Sequence, residues 1–142
     1  MTVSGVLERL LAETDASRCT LRLDLPGETF FPVVEEALAP GVQSIRDVPT
    51  DLRSQPVVRE LQTSLVQIVQ DDCRAASDDP RFHALMEAFG GVAAQIVTPV
   101  VVDGRLAGIV SLHQLGRPRA WTPREAGLAA TSAADVAAIL AA

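Results

Sequence analysis

Two long apolar runs, Val92–Val102 and Arg105–Gln114, are separated by only Asp103 and Gly104, and this pair constrains the fold more than any other feature of the chain. Two residues are too few for a crossover, so the runs must turn back on each other as an antiparallel hairpin. Asp-Gly suits the left-handed backbone that such a turn demands. Pro99 lies inside the first run, where its missing N–H predicts an interruption or a bend. The N-terminal half offers further strands. From Arg18 to Leu25, Cys19, Leu21, Leu23 and Leu25 alternate with Arg18, Thr20, Arg22 and Asp24, which is the two-residue repeat of a strand. Pro26-Gly27 marks a turn, and Phe30–Val34 is expected to return beside it, with Pro32 placing that strand at an edge.

Helical spacing flanks and interrupts these strands. Val6, Leu7, Leu10 and Leu11 share one face of Ser4–Glu13, with Ser4 as the expected N-cap. The irregular stretch Glu35–Gln55 leaves room for a short strand at Gln43–Arg46. Pro56–Leu61 reads as a short helix opened by proline, Leu65–Gln70 as an apolar strand ended by Asp71-Asp72. Asp79-Pro80 opens a helix through Phe89 that carries Phe82, Leu85, Met86 and Phe89 on one stripe and stops at Gly90-Gly91. Thr122-Pro123-Arg124-Glu125 is a capping box with proline in the first turn, and an alanine-rich helix follows it to Leu140. The element order predicts one α+β domain over residues 1–142. Its central antiparallel sheet has five or six strands, with both terminal helices on one face and the middle segments over the other.

Composition narrows the function classes. The net charge is −6, and Arg46, Arg53 and Arg59 are balanced by Asp47, Asp51 and Glu60, so no basic patch for nucleic acid exists. Apolar residues make up 48 % of the chain, enough for a core, yet no run approaches the ~20 residues that span a bilayer. The N-terminus lacks the basic flank and cleavage site of a signal peptide, so a cytoplasmic location is expected. Cys19 and Cys73 then read as free thiols, and they match no zinc spacing.

The second half resembles GAF domains. The motif series is Ile68-Val69-Gln70-Asp71-Asp72, then Asp79-Pro80-Arg81-Phe82, the small-residue strand Val92–Val97, the Pro99–Gly108 hairpin, and Trp121-Thr122-Pro123-Arg124-Glu125. The resemblance implies a ligand pocket under the middle segment and a helical face used for homodimerisation.

Strand alternation selects the residues that would face such a pocket. Thr20, Arg22 and Asp24 lie opposite the apolar phase of the first strand. Ala107, Ile109, Ser111 and His113 oppose Leu106, Gly108, Val110 and Leu112 on the last, and Ala93, Gln95 and Val97 share a phase on the strand before it. Arg22, Gln95, Ser111 and His113 therefore form the core of a candidate ligand-binding set, joined by Asp72 and Cys73 at the end of the third strand. A guanidinium fork beside hydroxyl and imidazole donors suits an anionic or carboxylate-bearing small molecule. Plainer readings remain for each. Arg22 can instead reach the sheet edge and pair with Asp24, His113 can sit half exposed, and Cys73 behind two acidic residues reads better as a small buried side chain than as a nucleophile. His83 reads as a solvated helix position, and Trp121 as a staple at the start of the last helix.

The leading expectation is a sensory or regulatory module that binds a small molecule without catalysis and acts on a partner or a twin. No cofactor, metal or catalytic residue is implied. No helix-turn-helix, kinase or cyclase segment is present, so output is expected from another chain. The alternative is a cysteine-dependent redox enzyme of the free methionine sulfoxide reductase type, whose cysteine pattern Cys19 and Cys73 do not reproduce. Bilin-binding relatives attach pigment through a cysteine beside a histidine, a pair absent here. A Ser111–His113 catalytic arrangement lacks a nucleophile elbow. A module whose pocket is filled by its own side chains is the remaining reading.

Overall fold

The computed structural model describes residues 1–142. The Asp103–Gly104 hairpin forms as the spacing requires: β4 (Val92–Val102) and β5 (Arg105–Leu115) pair antiparallel, with φ of 52° and 74° at the two turn residues. Pro99 does not break β4; it pairs with Ile109 inside a continuous ladder. The ladder shifts register instead between Val100 and Val101. One consequence is that Leu106 leaves the phase of Val110 and Leu112 and packs on the opposite face.

β1 (Arg18–Leu23) pairs with β5 on one side and with β2 (Val33–Leu38) on the other, while β3 (Ile68–Gln70) joins the far edge of β4. The result is a five-stranded antiparallel sheet in the order β2-β1-β5-β4-β3. The return strand begins at Val33, later than Phe30, because Pro32 cannot donate to the ladder and β2 forms beyond it. The segment Gln43–Arg46 is not a strand; its backbone is held by Glu36, whose carboxylate accepts from the Ser44 hydroxyl and, at 2.9 Å, from the Ile45 N–H.

On one face lie α1 (Val3–Thr14) and α5 (Pro123–Ala141). Val6, Leu7 and Leu10 of α1 meet Cys19, Leu21, Ala94, Ile96, Val110 and Leu112 of the sheet and Ala129, Ala133 and Val136 of α5 in one apolar cluster. Thr2, not Ser4, caps α1, its hydroxyl accepting from the Gly5 N–H at 3.0 Å. The capping box of α5 is complete: Thr122 accepts from the Glu125 N–H, and the Glu125 carboxylate accepts from the Thr122 N–H. Trp121 does more than staple. Its indole N–H donates to the Gln70 carbonyl at 3.2 Å and its backbone N–H to Asp71 at 3.1 Å, which ties the start of α5 to the end of β3.

Over the other face run a 3₁₀ turn (Leu52–Ser54), α2 (Pro56–Ser64), the short α3 (Cys73–Ala76) and α4 (Pro80–Ala88). Phe82, Met86 and Phe89 bury the stripe expected of α4, and Gly90 and Gly91 leave it with φ of 92° and 84°. Gly108 is required by strand packing and not by a helix or a ligand. A Cβ there would stand 2.6 Å from the Arg22 carbonyl oxygen of β1. No helix is long and apolar enough to cross a membrane.

Candidate functional site

Antiparallel partners share a face, so the register decides which side chains meet. Arg18 pairs with His113, Thr20 with Ser111 and Arg22 with Ile109 across β1 and β5. His113 also pairs with Gln95 of β4, and Gln95 with Gln70 of β3. A row of polar side chains therefore crosses the sheet under the middle segment. All but Gln70 are buried, down to 1 % exposure for Arg18 and Thr20.

Burying such groups without partners is costly, so their hydrogen bonds define the site. Arg18 donates from Nε to His113 Nδ1 at 3.1 Å, and from its two terminal nitrogens to the carbonyls of Gln43 at 3.0 Å and Phe89 at 2.6 Å. A ring nitrogen that accepts must be unprotonated, so the imidazole is neutral and carries its hydrogen on Nε2. Burial, followed by the positive charges of Arg18 and Arg22, holds the His113 pKa well below its ordinary value. Arg22 donates to the Phe31 carbonyl at 3.0 Å and lies 5.7 Å from the centre of the Phe89 ring, which also stacks on His113. Phe31 takes a left-handed φ of 51°, rare for a bulky side chain, and in that conformation its carbonyl meets the guanidinium.

Burial pulls both guanidinium pKa values down to about 10, against the opposing pull of Glu36. Neither arginine has a carboxylate within ion-pair distance; the protein's four ion pairs involve Arg9, Arg46, Arg81 and Arg119. Glu36 is engaged by Ser44, the Ile45 N–H and Arg46.

Between this row and the middle segment lies a cavity of about 50 Å³. Thr20, Arg22, Gln55, Gln95, Ser111 and His113 supply its polar wall, and Phe82, Leu85, Met86 and Phe89 cover it. Two oxygens in this wall, Thr20 Oγ1 and Gln55 Oε1, are fully buried without a hydrogen-bond partner. Gln55 cannot escape by rotating its amide. Its Nε2 donates to the Arg81 carbonyl at 3.3 Å, and exchange would set two oxygens against each other.

Four of the six residues selected from the sequence, Arg22, Gln95, Ser111 and His113, meet at this cavity. Arg22 does not pair with Asp24, and His113 is 3 % exposed, not half exposed. Asp72 and Cys73 stand apart from the cavity, along an open outer groove of about 840 Å³ beside α4 and the β4–β5 sheet end. Asp72 caps α3 by accepting from the Arg74 N–H at 3.1 Å. Cys73 packs with Phe82 and Met86, and burial together with the charge of Asp72 pushes its thiol up to about 12, far from a thiolate. Cys19 lies in the core under the terminal helices. His83 is half-buried, its Nε2 hydrogen-bonded to the Ser77 carbonyl at 2.6 Å.

The candidate set drawn from the sequence left out Arg18, Gln70 and Gln55, and it left out Thr20 although alternation places Thr20 on the pocket face. Arg18 and Thr20 carry the polar phase of β1 and were accessible to the same alternation that selected Arg22. Gln70 required knowledge that β3 pairs with β4, where it accepts from Gln95 Nε2 at 2.8 Å. Gln55 sits just before Pro56 in the irregular segment and bears no periodic signal.

The fold is an α+β domain with a polar cavity sandwiched between an antiparallel sheet and a crossing middle segment, and with the terminal helices behind. The GAF domain family model matches residues 2–140, and the chain belongs to that family. Solved structures agree in fold. The GAF domain of the cyanobacteriochrome TePixJ superposes with a TM-score of 0.84 at 21 % identity, over 98 % of this chain and 86 % of that one. The third GAF domain of Slr1393 from Synechocystis has a TM-score of 0.78 at 17 % identity, over 98 % and 93 %. The chromophore-binding domain of the Stigmatella aurantiaca bacteriophytochrome gives 0.73 at 17 % identity, over 99 % of this chain and 53 % of that one. No curated relative matches the chain in sequence.

Proposed function

We propose that this protein is a sensory or regulatory module that holds a small molecule on the polar face of its sheet, at Arg22, Gln95, Ser111 and His113, and does no chemistry on it. The observation that carries this reading is the cavity wall. Buried polar groups in folded proteins are nearly always paired, and here two residues with an unpartnered buried oxygen, Thr20 and Gln55, line the same cavity. A ligand supplies the missing partners.

The size of the cavity bears on how binding is signalled. At about 50 Å³ it is far below the roughly 300–1,000 Å³ of a pocket for a drug-sized ligand. A large ligand enters only if Phe82, Met86 and Phe89 withdraw, which moves α4; binding and movement of the middle segment are then the same event. Several structural neighbours are cyanobacteriochromes or a chromophore-binding domain. The cysteine–histidine neighbour pair of bilin attachment is missing here, so a covalently held pigment is not the expected ligand. The high thiol pKa of Cys73 weighs against the redox-enzyme alternative.

The small cavity also favours a second reading, a module whose pocket is filled by its own side chains and whose output is homodimerisation through α1 and α5. The two readings separate by thermal shift with carboxylate metabolites, nucleotides and tetrapyrroles. The sensory reading expects at least one class to raise Tm of the wild type by several degrees and to leave Arg22→Gln unmoved. No stabilisation by any class contradicts it.

A further inference from the structure

The donor and acceptor pattern of the cavity narrows the ligand class, an inference that rests on the sensory reading above. Arg22 uses one of its five N–H donors on Phe31. His113 presents Nε2–H as a donor, because Arg18 occupies Nδ1 and fixes the tautomer. The Thr20 hydroxyl adds a third unengaged group beside them. The sheet side of the cavity is therefore rich in donors and carries a guanidinium with no carboxylate within 4 Å. Glu36, the carboxylate that acts on both arginines, is held by Ser44, Ile45 and Arg46 on the β2 side. On the middle-segment side the unsatisfied atom is of the opposite kind: Gln55 Oε1 can only accept.

Space sets the second limit. A water needs roughly 10–15 Å³ of such cavity, so about 50 Å³ holds on the order of four non-hydrogen atoms without displacing the aromatic cover.

We infer that the ligand is a compact oxyanion, a carboxylate or similar planar group of about four non-hydrogen atoms, bound by Arg22, His113 and Thr20 and satisfied at its far end by donating to Gln55. The guanidinium fork matches a planar oxyanion in geometry and charge, and the neutral imidazole donates without competing for the proton. Arg18 is a positioning residue: it holds His113 in the donating tautomer.

The test is isothermal titration of the full chain, at fixed ionic strength, with acetate, glycolate, succinate and acetamide as probes. Acetate and glycolate bind one per chain, glycolate more tightly because its hydroxyl reaches Gln55. Acetamide, uncharged, and succinate, too long, bind at least about tenfold more weakly, the scale of one lost charge-assisted hydrogen bond. Arg22→Gln removes acetate binding. Thr20→Val, which keeps the shape of the side chain and is expected to fold at least as well as the wild type, weakens it severalfold. Equal binding of acetamide and acetate, or tighter binding of succinate, overturns the compact-anion assignment. Glycolate no tighter than acetate overturns the role of Gln55. If only a larger compound from the thermal-shift panel binds, the compact anion is wrong and the sensory reading stands; if nothing binds, both fall.

Discussion

The two faces of the sheet are built from the same strands and obey opposite rules. Under α1 and α5 the core is a large apolar cluster. The threonines buried beside it are paired, Thr14 donating to the Leu10 carbonyl and Thr98 accepting from Gln67, while Thr2 and Thr122 cap the helix N-termini. Under the middle segment the same strands present two arginines, a histidine, two glutamines, a threonine and a serine, with a void among them. The apolar face gains from burial, about 1.5–3 kcal/mol for each large aliphatic side chain fully removed from water. The polar face gives up part of that gain, since buried charges and unpaired oxygens oppose folding. A face that lowers stability in its empty state is where function is expected.

The contrast can be broken most forcefully on the apolar side. Leu21→Ala, at a fully buried position of the helical face, is expected to cost about 2–5 kcal/mol in denaturant unfolding. It should leave any ligand preference of the other face intact, and a changed preference would mean that the two faces are not separate.

Gly108→Ala acts between them. The added Cβ would press on the Arg22 carbonyl at 2.6 Å, so β1 and β5 must part, with an expected loss on the order of 1–3 kcal/mol. Here ligand affinity should fall along with stability, because Arg22 is displaced.

Mild acidification, above the carboxylate range, acts on the polar face through His113. The folded pKa of His113 lies well below 6.5, so in the window beneath pH 6.5 the unfolded chain takes up a proton that the folded chain refuses. Stability that is fully present above that window is lost as pH falls, at up to about 1.4 kcal/mol per pH unit. His113→Asn should flatten this slope between roughly pH 6.5 and 5, above the ordinary carboxylate range. An unchanged slope would place the imidazole in solvent.

The smallest effect has the opposite sign. Thr20→Val removes an unpaired buried oxygen with little change of shape and should stabilise the ligand-free protein by about 1 kcal/mol. A destabilisation would mean that the hydroxyl already has a partner.

The sequence made the sheet legible where local chemistry leaves one answer. Asp103-Gly104 admits only a tight turn, and Thr122 with Glu125 only a helix start. It misled where tertiary context decides. Pro99 sits in an unbroken strand because the surrounding ladder holds it there, and Gln43–Arg46 stays a loop because Glu36 supplies its hydrogen bonds. The candidate site was half legible. Alternation placed Arg22, Gln95, Ser111 and His113 on one face, since period two is intrinsic to strands. Alternation puts Arg18 in the same phase as Arg22, but its role comes from the β1–β5 register that sets it against His113, and Gln55 reaches the cavity from an aperiodic segment. Asp72 and Cys73 fell outside because Asp72 caps α3 and Cys73 is buried against Phe82 and Met86, its thiol donating to Gln70 at 3.8 Å.

The central claim is that the polar face under the middle segment is the ligand site. Titrating glycolate into isotopically labelled protein, while following the arginine Nε–H and glutamine side-chain signals by NMR, tests it most directly. The account predicts shifts at Arg22 and Gln55, with Arg18, held by Phe89, Gln43 and His113, nearly still. Shifts centred on α1 and α5, or along the groove at Cys73, or none at all, would contradict it.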